Sequence, residues 1–217
     1  MVEFAVVPER TALLNVDMQN CFVQGSPFSA PEGLAVQERI SRLAAACHVS
    51  GILVIHASHV VRQDGSNIGI LGEIAPAVKQ GIIRKGSESA ALHKGLVVHP
   101  DDILLEKPRF GAFHATDLEL ILRSRGIDTI IVSGIATNVC CETTAREAAV
   151  RDFRVFFLSD GTATFDIGDV PASALQKATC ATLGPLFAQV LTVDDMIKKI
   201  FAATRPAQAV TESSAQA

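Results

Sequence analysis

A doubly wound α/β domain, with a six-stranded parallel sheet flanked by helices on both faces, is the fold class that this 217-residue sequence predicts. Three observations carry the prediction. Strand-sized apolar runs recur along the chain and are continuous rather than alternating, which marks strands buried on both faces. Longer amphipathic segments separate them, giving the strand–helix alternation of a parallel sheet. Apolar residues make up 48% of the chain against 19% charged, enough for a two-sided core.

Thr11–Val16 (TALLNV) reads as the first strand and stops at Asp17. Gly33–Val49 places apolar residues at helical spacing, Gly51 closes it, and residues 52–58 resume as a strand. Residues 60–102 are less regular, with Gly-, Ser- and Pro-containing turns, and are expected to hold short helices and a flexible loop. Residues 103–106 form a third strand that delivers Lys107, and residues 116–125 a helix stopped by Gly126. A fourth strand covers 129–133, a helix 139–151, a fifth strand 155–158 and a helix 172–183. A short strand at 189–192 and a helix at 193–203 complete one domain, residues 1–204. The small, polar residues 205–217 (RPAQAVTESSAQA) are expected to be a disordered tail.

The formal net charge is −4 and no basic stripe is present, which argues against nucleic acid or an anionic membrane surface as a partner. Acidic Glu3, and no basic segment leading into an unbroken apolar run, predict no signal peptide. The apolar runs fall well short of the roughly 20 residues of a membrane span. Five cysteines (Cys21, Cys47, Cys140, Cys141, Cys180) form no regular framework, so reduced thiols and a cytoplasmic location are expected. Trp and Tyr are absent, which leaves eleven Phe and six His for aromatic recognition.

In such a sheet the ligand sits beyond the carboxyl ends of the strands, so the residues there matter most. Residues 133–146 (SGIATNVCCETTAR) place a strand, a Gly-containing turn, then Cys140 in the first turn of a helix, with Thr137 or Asn138 as its cap. A thiol there feels the positive helix end, and nearby N–H groups could hold a thiolate or an oxyanion. Read alone, the segment fits a small core cysteine equally well. Asp17 and Lys107 also fall at carboxyl ends of strands. Each by itself reads as a helix cap or a solvated edge charge; the fold brings all three to one rim.

These residues carry a resemblance. Residues 16–20 (VDMQN) with Phe22, residues 107–113 (KPRFGAF) with Thr116 and Leu118, residues 134–140 with 144–146, and Ser159 with Asp160 follow in order. Over residues 14–192 the chain resembles the isochorismatase-like cysteine hydrolases, a Rossmann-like three-layer superfamily. It includes nicotinamidases, N-carbamoylsarcosine amidases, ureidoacrylate amidohydrolases and biuret hydrolases. The resemblance implies a catalytic triad of Asp17, Lys107 and Cys140. It also implies a non-proline cis peptide between Ile135 and Ala136, aiming the Ala136 N–H, with that of Cys140, at an oxyanion. The implied chemistry is cleavage of a C–N bond in a small amide, ureido or carbamoyl substrate. It proceeds through a thioester, releases ammonia or an amine, and needs no cofactor. Residues 107–113 and 134–140 are closest to the ureidoacrylate and carbamoyl-cleaving branches. A homodimer or homotetramer is implied as well.

Phe22 and Phe113 flank the triad motifs and are expected as pocket walls, and His59 as a substrate hydrogen-bonding group. Nicotinamidases of the superfamily hold a metal through an Asp-x-His pair and a further His. Here residues 54–60 (VIHASHV) offer His56 and His59 without that Asp, and strand alternation sends the two side chains to opposite faces. No catalytic metal is therefore expected. Arg62, Asp64, Asn67 and Arg109 are candidates for substrate polarity or for loop structure. Cys141 stands where the family usually has an aliphatic residue and reads as core, and Cys21 is placed near the pocket mouth. Gly134 reads as a requirement of the turn. No Gly-x-Gly-x-x-Gly follows a strand, so no dinucleotide is implied. The alternative readings are a vinyl ether hydrolase that dispenses with the cysteine, a metal-assisted nicotinamidase, and a non-catalytic binding domain.

Overall fold

The computed structural model describes residues 3–204. Six strands, β1 (Thr11–Val16), β2 (Leu53–His59), β3 (Ile103–Lys107), β4 (Thr129–Ile135), β5 (Arg154–Ala163) and β6 (Gln189–Leu191), form one sheet. Its order is β3-β2-β1-β4-β5-β6, with every neighbouring pair parallel. The chain winds outward from β1 in both directions, so the order reverses between β1 and β4, where Val16 lies opposite Gly134. An open sheet leaves a crevice at that point, outside the carboxyl ends.

Eight helices surround the sheet: α1 (Asn20–Val23), α2 (Gly33–Val49), α3 (Leu71–Ile74), α4 (Pro76–Lys79), α5 (Leu118–Ser124), α6 (Glu142–Ala149), α7 (Ala172–Leu186) and α8 (Val193–Thr204). Helix α2 buries Val36, Ile40, Leu43, Ala44 and Cys47, the spacing of one helical face. Its Leu43, Ala44 and Cys47, with Val193, Met196 and Ile200 of α8, cover Leu13, Val54, Ile131 and Phe156. On the opposite face α5, α6 and α7 present Leu118, Leu122, Ala145, Ala148 and Leu183 to Leu14, Ile55, Ile130, Val132 and Phe157. Strands β1 and β4 are buried at every position, which is why their sequences run apolar without alternation.

Several boundaries differ from the sequence reading. Strand β2 runs one residue further and ends on His59. Strand β5 continues to Ala163 through a bulge: Val132 faces Phe157 but Gly134 faces Thr162. Ser159, Asp160 and Gly161, which look like a strand stop, lie inside it. Helix α5 starts at Leu118 because the Thr116 hydroxyl accepts the Leu118 N–H at 3.2 Å. The helix expected over 139–151 is a π-helical turn, Thr137–Cys141, followed by α6. The short helices expected within 60–102 are α3 and α4, and the segment is pinned by Val61, Leu71, Val78 and Ile83 packing on Cys21.

His56 points to the α2 face, as strand alternation requires. Its Nε2 meets Asp102 Oδ2 at 3.0 Å, and its Nδ1 faces Asn15 Nδ2 at 3.3 Å. Ser133 donates to Asn15 Oδ1 at 2.6 Å. A polar chain thus crosses three strands inside the sheet with its members paired. Among the described residues no helix is long and apolar enough to cross a membrane. The expected disordered tail, 205–217, lies outside the described residues.

Candidate active site

Asp17 follows β1 directly and turns the chain with φ +53°, a left-handed conformation that Asp tolerates better than bulky residues. Lys107 ends β3, two strands away, in register with His59 of β2. Its long side chain reaches past the end of β2 to place Nζ 2.8 Å from Asp17 Oδ2, and both side chains are fully buried. The ammonium has three protons. The other two go to the carbonyls of Arg109 at 3.1 Å and Phe110 at 3.0 Å. Lys107 therefore acts on its surroundings by charge, with no proton left to donate.

Cys140 arrives from β4. Gly134 makes this possible: its φ is +123°, and a Cβ there would lie 1.9 Å from the Val16 carbonyl oxygen. The Ile135–Ala136 peptide is cis. The π-helical turn follows, with the Val139 and Cys141 N–H groups both donating to the Ala136 carbonyl at 3.1 Å. No side chain caps this turn. The expected caps are engaged elsewhere: Thr137 donates to Gln176, and Asn138 Oδ1 accepts from Thr164 at 2.6 Å. Thr144 donates to the Cys140 carbonyl at 2.7 Å and accepts from the Ala112 N–H at 3.1 Å. The loop after Lys107 is thereby fastened to the nucleophile turn.

Ligating atoms of Asp17, His59 and Cys140 lie within 4.8 Å of one another. Asp17 Oδ1 is buried without a hydrogen-bond partner among the described residues. Burial pushes the Asp17 carboxyl up, with Lys107 and the Cys140 thiol acting in the opposite direction. Burial opposes the Lys107 charge, but Asp17 and Cys140 outweigh it and the ammonium is held well protonated. Burial and the Asp17 charge push the Cys140 thiol up, while Lys107 and the Ala136 N–H directed at its sulfur favour the thiolate. The site thus sets the Lys107 ammonium against Asp17, beside a thiol whose ionisation burial opposes. The turn that carries Cys140 is π-helical, with Thr137, Cys140 and Cys141 buried. The three clustered groups could ligate a cation by atom type. The ammonium on Asp17 already neutralises the one permanent anion there, and its charge repels a metal ion.

A cavity of about 150 Å³ opens on Cys140. Phe22, His59, Ile135 and Ala136 line it, as do Phe28, Phe110, Val139 and Phe165. Its far wall is Leu71, Val78, Ile82 and Ile83, a contribution of the 60–102 segment that nothing in the sequence marks. The placement expected of Phe113 needs correction. Its ring is buried on the α5–α6 side against Phe153, 5.7 Å between centroids, with the Arg151 guanidinium 5.1 Å from its centre. Phe110 takes the wall position, with its ring edge-on to His59 at 5.7 Å. Arg109 binds the backbone carbonyls of Asn67 and Pro108, and Asn67 accepts the Arg62 N–H. Asp64 caps the Ser66 N–H in the same loop. None of these four lines the cavity. Cys141 is core, its sulfur 3.8 Å from the Ser133 carbonyl oxygen.

The chain matches an isochorismatase domain over residues 11–195. It is 34% identical over 173 residues to a ureidoacrylate amidohydrolase of Methylorubrum extorquens, covering 71% of this chain and 70% of that protein. To nicotinamidase 3 of Arabidopsis thaliana it is 32% identical over 192 residues, 87% of this chain and 88% of that one. Among solved structures, a cysteine hydrolase from Pseudomonas syringae superposes with a TM-score of 0.86 at 34% identity, over 93% of this chain and 97% of the other. An isochorismatase family protein from Desulfovibrio vulgaris gives 0.79 at 26% identity, over 89% and 98%.

Proposed function

The chain belongs to the isochorismatase domain family, and from that premise we propose that it is a cysteine amidohydrolase, cleaving a C–N bond of a small amide through a thioester on Cys140. The carrying observation is the buried cluster in which Asp17 is bound to Lys107 and stands within 4.8 Å of the Cys140 sulfur at the floor of a cavity. The names of the ureidoacrylate and nicotinamide hydrolases, and of the Pseudomonas cysteine hydrolase, support the same class.

Mechanistically, Asp17 removes the Cys140 proton as the sulfur attacks the amide carbon, since the resting thiol is too weak an acid to ionise on its own. An acid pushed up by burial suits that task. The new oxyanion is held by the Ala136 and Cys140 N–H groups, and the fixed Lys107 charge offsets the negative charge gathered on the intermediate. Collapse breaks the C–N bond while Asp17 returns the proton to the leaving nitrogen. Asp17 then deprotonates water, which attacks the thioester and releases the acid, and the cysteine regains its proton.

Cys140→Ala is expected to lower ammonia release from amides by about a thousandfold or more, and mass spectrometry of the wild-type protein quenched during turnover should find the acyl group on Cys140. Full activity in Cys140→Ala would sink the covalent mechanism.

A further inference from the structure

Building on the amidase reading, we propose that the substrate is an uncharged primary amide of an apolar acid, and that His59 Nε2 accepts one of its amide N–H groups. The first ground is the wall of the cavity. No residue lining it is charged, and His59 is its one ring with nitrogen to offer. An apolar cavity of about 150 Å³ holds roughly one benzene ring. The cations near it are committed: Lys107 has donated all three protons, and Arg109 Nη1 is held by the backbone carbonyls of Asn67 and Pro108. A substrate carboxylate placed here would be a buried charge without a partner, which a protein interior strongly disfavours.

The second ground is the histidine itself. His59 is buried at 3% exposure, yet Nε2 has no hydrogen-bond partner among the described residues. With Nε2 unpartnered, the proton of the neutral ring is assigned to Nδ1. Burial, with the Lys107 charge close by, keeps the ring neutral, its pKa lowered to about 3. Nε2 is therefore a buried acceptor without a donor, on a residue that lines the cavity. A primary amide has two N–H donors on the atom that becomes ammonia. One directed at His59 would leave the carbonyl carbon facing Cys140 and the carbonyl oxygen facing the Ala136 N–H.

The experiment measures ammonia release by the full-length wild-type chain from benzamide and hexanamide, against ureidoacrylate and N-carbamoylglycine. The neutral amides should be favoured in kcat/KM by about a hundredfold, the penalty for leaving buried polar groups unpaired. His59→Leu should cut benzamide turnover about tenfold more than it cuts hydrolysis of methyl benzoate, which lacks the N–H, and His59→Gln should recover part of the difference. On the wild-type protein, benzamide should protect Cys140 from alkylation at concentrations about tenfold below N,N-dimethylbenzamide. Preference for the ureido acids, failure of the neutral amides to turn over, or equal losses for amide and ester would overturn the inference. If ureidoacrylate is hydrolysed and that activity vanishes in Cys140→Ala, the amidase reading stands and only the substrate assignment falls. Amide turnover that survives Cys140→Ala would instead remove the reading beneath it.

Discussion

His59 combines burial, neutrality and an open lone pair, and each has a consequence that can be measured. Its pKa falls from 6.5 to about 3 in the folded protein, first through burial and then through the Lys107 charge. Below pH 6.5 the unfolded chain takes up a proton that the folded ring refuses. Its share of stability is therefore complete above pH 6.5 and is lost as pH falls from 6.5 toward about 3. The slope is about 1.4 kcal/mol per pH unit for one such proton. Urea denaturation of His59→Gln between pH 6 and about 4.5 should show a pH dependence shallower than wild type by about that amount. Identical slopes would mean that the ring is not held neutral. Asp17, Lys107 and Cys140 are legible in the sequence because each terminates or follows a recognisable strand. Phe113 and Phe110 show where that reasoning ends. They sit three residues apart in one loop. It is held by Lys107 at the Phe110 carbonyl, by Thr144 at the Ala112 N–H and by Glu147 at the Phe113 N–H, and none of these long-range contacts is marked in the loop's own sequence.

Among the elements, β1 and β4 were readable from nearly continuous apolar runs, because burial on both faces leaves few polar positions, and two of these, Asn15 and Ser133, bond to each other. The β5 bulge was not, since Ser, Asp and Gly read as a strand end unless the bonds of the neighbouring strand are known. The close approach of β4 to the end of β1 rests on Gly134. Gly134→Ala meets both a positive φ and a carbonyl oxygen 1.9 Å from the new Cβ, so one of the two central strands must move. Denaturant titration should give a loss of roughly 4 kcal/mol or more, or no folded protein. Gly126→Ala, also at positive φ but with open space around it, should cost only about 1 kcal/mol. Similar losses at the two sites would show that conformation, and not the close approach, dominates at Gly134.

For the whole molecule, the parallel pairing and the helices on both faces follow from the alternation of elements along the sequence. The cavity does not, because its far wall comes from residues 71–83, whose packing on Cys21 joins parts of the chain some fifty residues apart. We propose that the protein assembles as a homodimer or homotetramer, as the family resemblance implies. Sedimentation velocity should then give two or four times the chain mass of 23.0 kDa. A single species at 23.0 kDa would refute it.

Lys107 sits on the outermost strand of one side of the sheet, and its partner Asp17 belongs to the strand at the centre. The same contact that arranges charge for the reaction is thus a tie-rod from rim to hub, passing over the end of β2. Edge strands are the first part of a parallel sheet to fray. In this chain fraying of β3 would carry Lys107 away from Asp17, and on the proposed mechanism that would remove the cation from the base. Competence for chemistry is thereby bound to the intactness of the sheet margin, and an early, local loss of order there silences the enzyme while most of the fold still stands.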